Sequence, residues 1–168
     1  MDRPAHLGWR LLALVYDLFP AFALTIAYGA LITGVAALAG QPDLSDLRWF
    51  KPLNALGLWA AVGAYFVLSW ARGGQTLGMR PWALRVVGDD GAPAARAALL
   101  KRYAWATLPA VAVIGLAGLV PWNDARLPFG VAAAVAVLGW LWAAIDRDRA
   151  PLHDRLSRTR LVRRVNAA

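Results

Sequence analysis

Four long apolar runs dominate the chain, and the segments between them hold most of the charged residues. The runs cover roughly residues 11–39, 53–71, 103–122 and 127–145. A helix needs about 20 apolar residues to cross a hydrocarbon core about 30 Å thick, and in lipid it must pair its backbone polar groups internally. The pattern therefore predicts an all-α transmembrane protein, a four-helix polytopic bundle that forms a single membrane domain over residues 1–168.

The first run is too long for a cleaved leader peptide. Signal-peptide apolar regions extend over about 7–15 residues, whereas this run is nearly twice as long and contains Asp17. We therefore expect it to remain in the protein as the first span.

The polar loop at 72–102 has an internal pattern of its own. An extended piece, WALRVV, precedes the turn sequence GDDG, and APAARAALLKR then begins the third helix with amphipathic character. We predict a cytoplasmic amphipathic loop whose residues 85–87 pair as a short strand with residues 160–162 of the tail (146–168). The apolar side chains of WALRVV beside Arg80 and Arg85 are expected to lie on the anionic inner leaflet.

Charge fixes the expected orientation. The chain is 60% hydrophobic and has a net charge of +8, and its mean hydropathy is +0.48. If the N-terminus is cytoplasmic, every Lys and Arg except Arg48, Lys51 and Arg126 lies on the cytoplasmic side, as the positive-inside rule requires. We therefore expect both termini in the cytoplasm and anionic lipid, rather than nucleic acid, as the partner. The basic residues expected to contact lipid or a partner protein are Arg80, Arg85, Arg155, Arg158, Arg163 and Arg164.

Two charged residues stand out in the first run. Arg10 and Asp17 are seven residues apart, which places them on nearly one helix face about 10 Å apart along the axis. A carboxylate in lipid costs about 2.5–3.5 kcal/mol, and Pro20 removes the hydrogen bond to the carbonyl of Tyr16 beside it. Two interpretations follow: a structural ion pair that fixes helix one, or a cation or proton site in which Tyr16 and Pro20 are accessory.

His153 and Asp154 follow the fourth run. Imidazole titrates near neutral pH, so His153 is a candidate accessory residue for proton transfer. Adjacent helical positions point about 100° apart, and we therefore expect the two side chains to be poorly placed to bond each other. Asp154 is expected to meet arginines of the cytoplasmic loop and so to tie the tail to it.

The chain offers no catalytic or metal-binding set. Cysteine and glutamate are absent and the two histidines are far apart, which leaves no transition-metal ligand set. The stretch GGQTLGMR has Met79 where a phosphate-binding loop requires lysine. We expect no enzyme activity, no metal and no cofactor.

Three segments carry a family resemblance: GWRLLALVYDLF, GQTLGMRPWALRVVGDDGAP and RAPLHDRLSRTRLV. They resemble the RDD family of bacterial membrane proteins, which is named for one arginine and two aspartates. By motif these are Arg10, Asp17 and Asp154. Pro81 departs from the family pattern, in which a helical run usually continues, and LSRTR stands where the family usually has AGTR. The resemblance implies a multi-pass bacterial inner-membrane protein, with transport proposed for the family and cation/proton exchange suggested for some members.

Two functions remain open at this point. The first is a small transporter or cation/proton exchanger that uses an intramembrane Arg–Asp pair, with Arg10, Asp17 and Asp154 as its charge site. The alternative is a non-transporting adaptor or assembly protein whose basic cytoplasmic face binds a partner or anionic lipid. Four spans make a thin bundle, so a transporter of this size is expected to form a homo-oligomer.

Overall fold

The structure is a computed structural model that describes residues 2–40, 49–117 and 150–164, together with isolated positions between 130 and 146. The fourth predicted span, 127–145, lies largely outside the described residues, as does the end of the third, 118–122. The four-helix bundle therefore stays a prediction.

Three long helices correspond to the first three apolar runs. Their bounds are α1 Leu7–Leu38, α2 Phe50–Gly73 and α3 Arg96–Ala117. Both α1 and α2 are long and apolar enough to cross a membrane, with mean hydropathies of 1.9 and 1.4. Most of their surface is exposed in the isolated chain, whereas the apolar helix of a soluble core would be buried. Exposure of this kind suits helices that are surrounded by lipid.

Local signals set the ends of these helices. His6 caps α1 through its ring Nδ1, which accepts a hydrogen bond from the backbone N–H of Gly8 at 3.2 Å. The helix continues through Pro20 without a break. At the end of α2, Gly74 adopts a left-handed conformation with φ 71° and donates its N–H to the carbonyl of Trp70, a common glycine-dependent way to end a helix.

Close contacts join α2 to its neighbours on both sides. A Cβ on Gly63 would lie only 2.5 Å from the ring of Tyr103, so the glycine lets α3 approach. The rings of Trp59 and Tyr103 are 5.3 Å apart, and the Trp59 indole N–H donates to the Thr107 hydroxyl at 2.8 Å. These contacts fix α3 against α2.

A small antiparallel sheet brings together three distant parts of the chain. Its strands are β1 Asp2–Pro4, β2 Leu84–Gly88 and β3 Thr159–Arg164, in the order β1-β3-β2. Residues 85–87 pair with residues 160–162, with Val86 opposite Leu161, which confirms the predicted strand pairing. Strand β1 was not predicted.

The loop sequences that precede and follow β2 form tight turns. A short 3-10 helix, Arg80–Trp82, leads into the strand. After it, the backbone reverses at Gly91, which has φ 83°, and the N–H of Gly88 donates to the carbonyl of Ala92 at 2.8 Å. The turn predicted at GDDG is therefore present.

The expectation that the apolar side chains of WALRVV lie on the leaflet is wrong for two of them. Leu84 is fully buried and Val86 is 3% exposed. Both belong to a core cluster that includes Leu99 at the start of α3 and Leu161 on β3. Alternate side chains of a strand point to one face of its sheet, and this face of β2 packs against the helix ends instead of lipid.

Candidate functional site

A buried group of four ionisable side chains lies where α1 and α3 meet the tail. We call it the charge cluster: Arg10 on α1, Arg102 on α3, and His153 and Asp154 on the short helix α4 (Leu152–Ser157). The Nη1 atoms of Arg10 and Arg102 lie 2.7 Å and 2.6 Å from the two carboxylate oxygens of Asp154. One fully buried carboxylate therefore joins the first helix, the third helix and the tail.

Further hydrogen bonds hold the two guanidinium groups in place. The Nε of Arg10 donates to the carbonyl of Ala5 at 3.0 Å. The Nη1 of Arg102 also donates to the Thr159 hydroxyl at 2.8 Å, and its guanidinium lies 5.4 Å from the centre of the Trp70 ring. Both arginines are about 95% buried, a position that is stable only when the charge is paired and hydrogen-bonded.

The predicted separation of His153 and Asp154 is wrong. The imidazole Nε2 of His153 lies 3.1 Å from a carboxylate oxygen of Asp154. Although adjacent helical positions point apart, the ring is long enough to fold back toward the carboxylate at the centre of the cluster. The proposed bond between Arg10 and Asp17 is replaced by the bond from Arg10 to Asp154.

The surroundings of His153 and Asp154 in the cluster shift the pKa of each side chain. Burial lowers the pKa of His153, and the nearby guanidinium groups of Arg102 and Arg10 lower it further, while its hydrogen bond to Asp154 opposes this change. Burial alone would raise the pKa of Asp154, but attraction by Arg102, the hydrogen bond from His153 and the charge of Arg10 together bring it below its usual range. At neutral pH the cluster therefore holds a carboxylate between two cations and a neutral imidazole.

Asp17 is held by neutral donors. Its Oδ1 accepts hydrogen bonds from the Tyr65 hydroxyl at 3.0 Å and from the backbone N–H of Gly78 at 2.9 Å, and its Oδ2 accepts one from the Thr76 hydroxyl at 2.5 Å. The Tyr65 oxygen in turn accepts the N–H of Leu77 at 3.2 Å. Within the described part of the chain, no cation forms a salt bridge with this carboxylate, which is 3% exposed.

The loop that follows α2 approaches α1 very closely at this point. A Cβ on Gly78 would lie 2.7 Å from the Asp17 carboxylate carbon and 2.8 Å from the Asp17 backbone nitrogen, and it would also collide with the Ala13 carbonyl. The buried residues of α1, Arg10, Ala13 and Asp17 among them, share the face that this loop and the tail cover. The predicted common face of Arg10 and Asp17 is therefore present, although the two residues have different partners.

A cavity of about 300 Å³ lies between Asp17 and the charge cluster. Arg10, Arg102 and His153 border it as well as Asp17, while most of its wall is apolar. The polar and apolar lining residues come from α1, α2, the loop after α2, α3 and the tail, so the cavity exists only when these elements are assembled.

Tyr16 and Pro20, the predicted accessory residues, lie away from this arrangement. Tyr16 is 48% exposed and its ring meets the edge of Trp82 at 5.8 Å. Pro20 is half-buried. Neither borders the cavity.

The basic residues predicted to contact lipid or a partner fall into two groups. Arg80, Arg155, Arg158 and Arg164 are exposed, although Arg155 pairs with Asp146 at 2.9 Å. The other two are half-buried and make contacts within the chain: Arg85 donates to the carbonyl of Gly73 at 3.2 Å, and Arg163 lies 4.2 Å above the Trp9 ring.

Sequence reasoning did not single out several residues of the site. These are Tyr65, Thr76, Gly78, Arg102, Tyr103 and Thr159. The stretch GGQTLGMR had been considered as a phosphate loop and as part of a segment that carries the family resemblance, whereas in the structure Thr76 and Gly78 within it bind Asp17. Among the described residues, no three His, Asp or Glu side chains come close enough together to hold a metal ion.

Comparison with known proteins identifies the family. No curated protein and no solved structure matches the chain. The RDD family model matches residues 4–158, a range that contains Arg10, Asp17 and Asp154. The chain therefore belongs to the RDD family, whose members are membrane proteins.

Proposed function

We propose that this protein is a small transporter whose solute site is the cavity between Asp17 and the charge cluster. The observation that carries the proposal is the cavity itself, about 300 Å³ in volume and bordered by Arg10, Asp17, Arg102 and His153. Small-molecule sites are concave and mostly apolar, and they contain a few well-placed polar groups. Ionisable residues in spanning helices commonly mark the path of a solute or a proton.

Asp17 and the charge cluster have different roles in this proposal. Asp17 carries a formal negative charge inside the predicted first span and has only neutral hydrogen-bond donors around it. It is therefore the carboxylate best placed to exchange one of those donors for a proton during transport. The Arg–Asp pair is Arg10 with Asp154, and it fixes the helices that form the cavity.

The tail forms the wall at the cytoplasmic end in this proposal. His153 and Leu161, both in the tail, border the cavity. Movement of α4 and β3 away from the helices would open it, and the bonds from Asp154 to Arg10 and Arg102 oppose that movement.

The proposed setting is the bacterial inner membrane with both termini in the cytoplasm. Strand β3 pairs with both β1 and β2, so the N-terminal segment, the loop and the tail share one side of the helices. This arrangement supports the orientation drawn from the distribution of Lys and Arg. The exposed apolar surfaces of α1 and α2 provide area for lipid and for a homo-oligomer.

A flux measurement tests the proposal. We expect the purified protein in liposomes to move protons, monovalent cations or small carboxylates, and we expect Asp17→Asn to abolish that flux while the protein still inserts. Asp89→Asn is the matched control, since it removes the carboxylate of an exposed loop residue and should leave flux unchanged. Flux that survives Asp17→Asn overturns the role given to Asp17.

The exposed basic residues support one alternative, a non-transporting adaptor or assembly protein. Arg80, Arg158 and Arg164 are exposed, and all three belong to the loop and tail that the sheet brings together. A wild-type protein that transports none of the tested solutes, yet binds anionic vesicles and loses that binding when these arginines are changed to Gln, would favour the alternative.

A further inference from the structure

We propose that the cavity takes a small organic anion, a carboxylate with an apolar body, and that its carboxylate group lies at the Arg10–Arg102 end. The inference deepens the proposed function by naming the class of solute, and it rests on that proposal only in taking the cavity as the solute site.

The first argument is the charge at this end of the cavity. Arg10 and Arg102 each bear a positive charge, and Asp154 is the carboxylate that contacts both. With His153 neutral, the cluster has one positive charge in excess among the described residues. The other carboxylate that borders the cavity, Asp17, lies about two helical turns from Arg10 and is held by three neutral donors. Charge buried in a low-dielectric region attracts a counter-ion strongly, so an anion is the complementary ligand.

The second argument is an excess of hydrogen-bond donors over acceptors. The Nε of Arg102 and the indole Nε1 of Trp70 are buried and have no hydrogen-bond partner in the part of the chain that the structure describes. Both residues border the cavity. A buried donor without an acceptor is destabilising, and a carboxylate that enters beside Arg102 brings acceptors to this end after a small rotation of the side chains.

The third argument is the composition of the remaining wall. The rest of the wall is mostly apolar or aromatic and includes Leu14, Phe66, Met79, Tyr103, Ala106 and Leu161. A volume of about 300 Å³ is at the lower end of the range for small-molecule sites. The wall therefore suits a compact hydrocarbon or aromatic group attached to the carboxylate.

The same contacts disfavour a cation at the cluster. A cation would meet the two guanidinium groups, and like charges repel at short range. The carboxylate of Asp154 already binds both guanidinium groups, and Asp17 already accepts three hydrogen bonds. Neither carboxylate offers a cation the set of free oxygens that hard cations require.

Three probes of nearly one shape test the charge preference. Benzoate, benzamide and benzylammonium are each titrated calorimetrically into the full-length protein in nanodiscs. We expect benzoate to bind at least tenfold more tightly than either of the others. Equal binding of benzamide, a preference for benzylammonium, or no binding of any probe overturns the proposal.

A variant pair tests the location. Ala106 is an exposed residue of α3 that borders the cavity, whereas Ala97 is an exposed residue of α3 that does not. Ala106→Phe should weaken benzoate binding at least tenfold by filling the cavity, and Ala97→Phe should leave it unchanged. Unchanged benzoate binding in Ala106→Phe would place the anion elsewhere and overturn the proposal. If this variant does not fold, the comparison of the three probes on the wild-type protein still tests the charge preference.

The binding experiment and the flux experiment test different proposals, so either one can fail without the other. Selective benzoate binding without any flux would support the anion site and overturn transport. Flux of protons or metal cations without selective benzoate binding would support transport and overturn the anion site.

Discussion

At residue 17 a carboxylate lies where the hydropathy pattern predicts lipid, and the loop after α2 supplies the donors that lipid lacks. Two hydroxyl groups and one backbone N–H surround Asp17. The backbone donor reaches the carboxylate only because residue 78 has no side chain. The glycine is therefore as necessary to the buried charge as the side-chain donors from Tyr65 and Thr76.

Gly78→Ala should destabilise the protein by about 1–3 kcal/mol, the usual cost of forcing extra atoms into a packed site. The added methyl group would collide with the Ala13 carbonyl and the backbone of Asp17, so the loop must move away from α1. Thermal unfolding in detergent measures the loss. Gly73→Ala is the control, because a Cβ there meets nothing within 4 Å; equal effects of the two substitutions would contradict the argument.

Arg158→Gly should stabilise the protein by about 1 kcal/mol. Arg158 ends α4 in a left-handed conformation with φ 52° and ψ 46°, which costs a residue other than glycine roughly 1–2 kcal/mol. The family's usual AGTR has a glycine at this point of the motif. Arg158→Ala is the control in the same melting experiment, since it removes the charge and keeps the strain; a gain in both variants would assign the effect to charge instead.

At the scale of elements, sequence reasoning succeeded where the pattern is local. WALRVV predicted β2, GDDG predicted the turn after it, and the basic APAARAALLKR segment predicted the start of α3, which begins at Arg96. The strand pairing between 85–87 and 160–162 was also recognised, because the two segments are equally long and each contains β-branched or other apolar residues. Strand β1 was missed because Asp2–Pro4 is polar and only three residues long. It also ends in a proline, a residue that is rare in the interior of a sheet.

Contacts between distant elements were less accessible to sequence reasoning. Helical periodicity placed Arg10 and Asp17 on one face, but it gives no information about which distant residue covers that face. Arg10 binds Asp154, 144 positions away, while Asp17 binds Thr76 and Gly78. Asp154 was expected to meet loop arginines, and it meets Arg102 at the end of that loop, although no local pattern distinguished Arg102 from the other arginines.

For the whole molecule, the charge cluster and the sheet form two connections between the same parts of the chain. Asp154 joins the tail to α1 and α3 through ion pairs, and β3 joins the tail to β1 and β2 through backbone hydrogen bonds. The first connection depends on pH, whereas the second does not.

The melting temperature in detergent should therefore fall as the pH falls from 7.5 to 5.5. The pKa of His153 is lowered below the usual histidine value of about 6.5 by burial and by the charges of Arg102 and Arg10, against the opposing effect of Asp154. Below about pH 6.5 the unfolded chain binds a proton that the folded chain resists, so stability falls by about 1.4 kcal/mol for each unit by which folding lowers the pKa.

Substitution of the two histidines identifies the group responsible. His153→Gln should flatten the dependence over this pH range, while His6→Gln should leave most of it in place, since His6 does not belong to the charge cluster. At lower pH a second loss should follow, because the pKa of Asp154 is lowered in the folded state and its stabilisation disappears as the carboxylate protonates. A slope that persists in His153→Gln would contradict the assignment.

The position of β3 in the sheet has a consequence for biosynthesis. Strand β3 lies between β1 and β2, yet it is the last of the three to leave the ribosome. Until β3 has been synthesised, β1 and β2 lack the strand with which they pair, and Arg10 and Arg102 lack the carboxylate of Asp154. Closure of the end of the molecule that carries the sheet therefore comes late in synthesis, and a ribosome that stops before residue 154 releases a chain whose arginines lack the carboxylate that holds them in the folded protein.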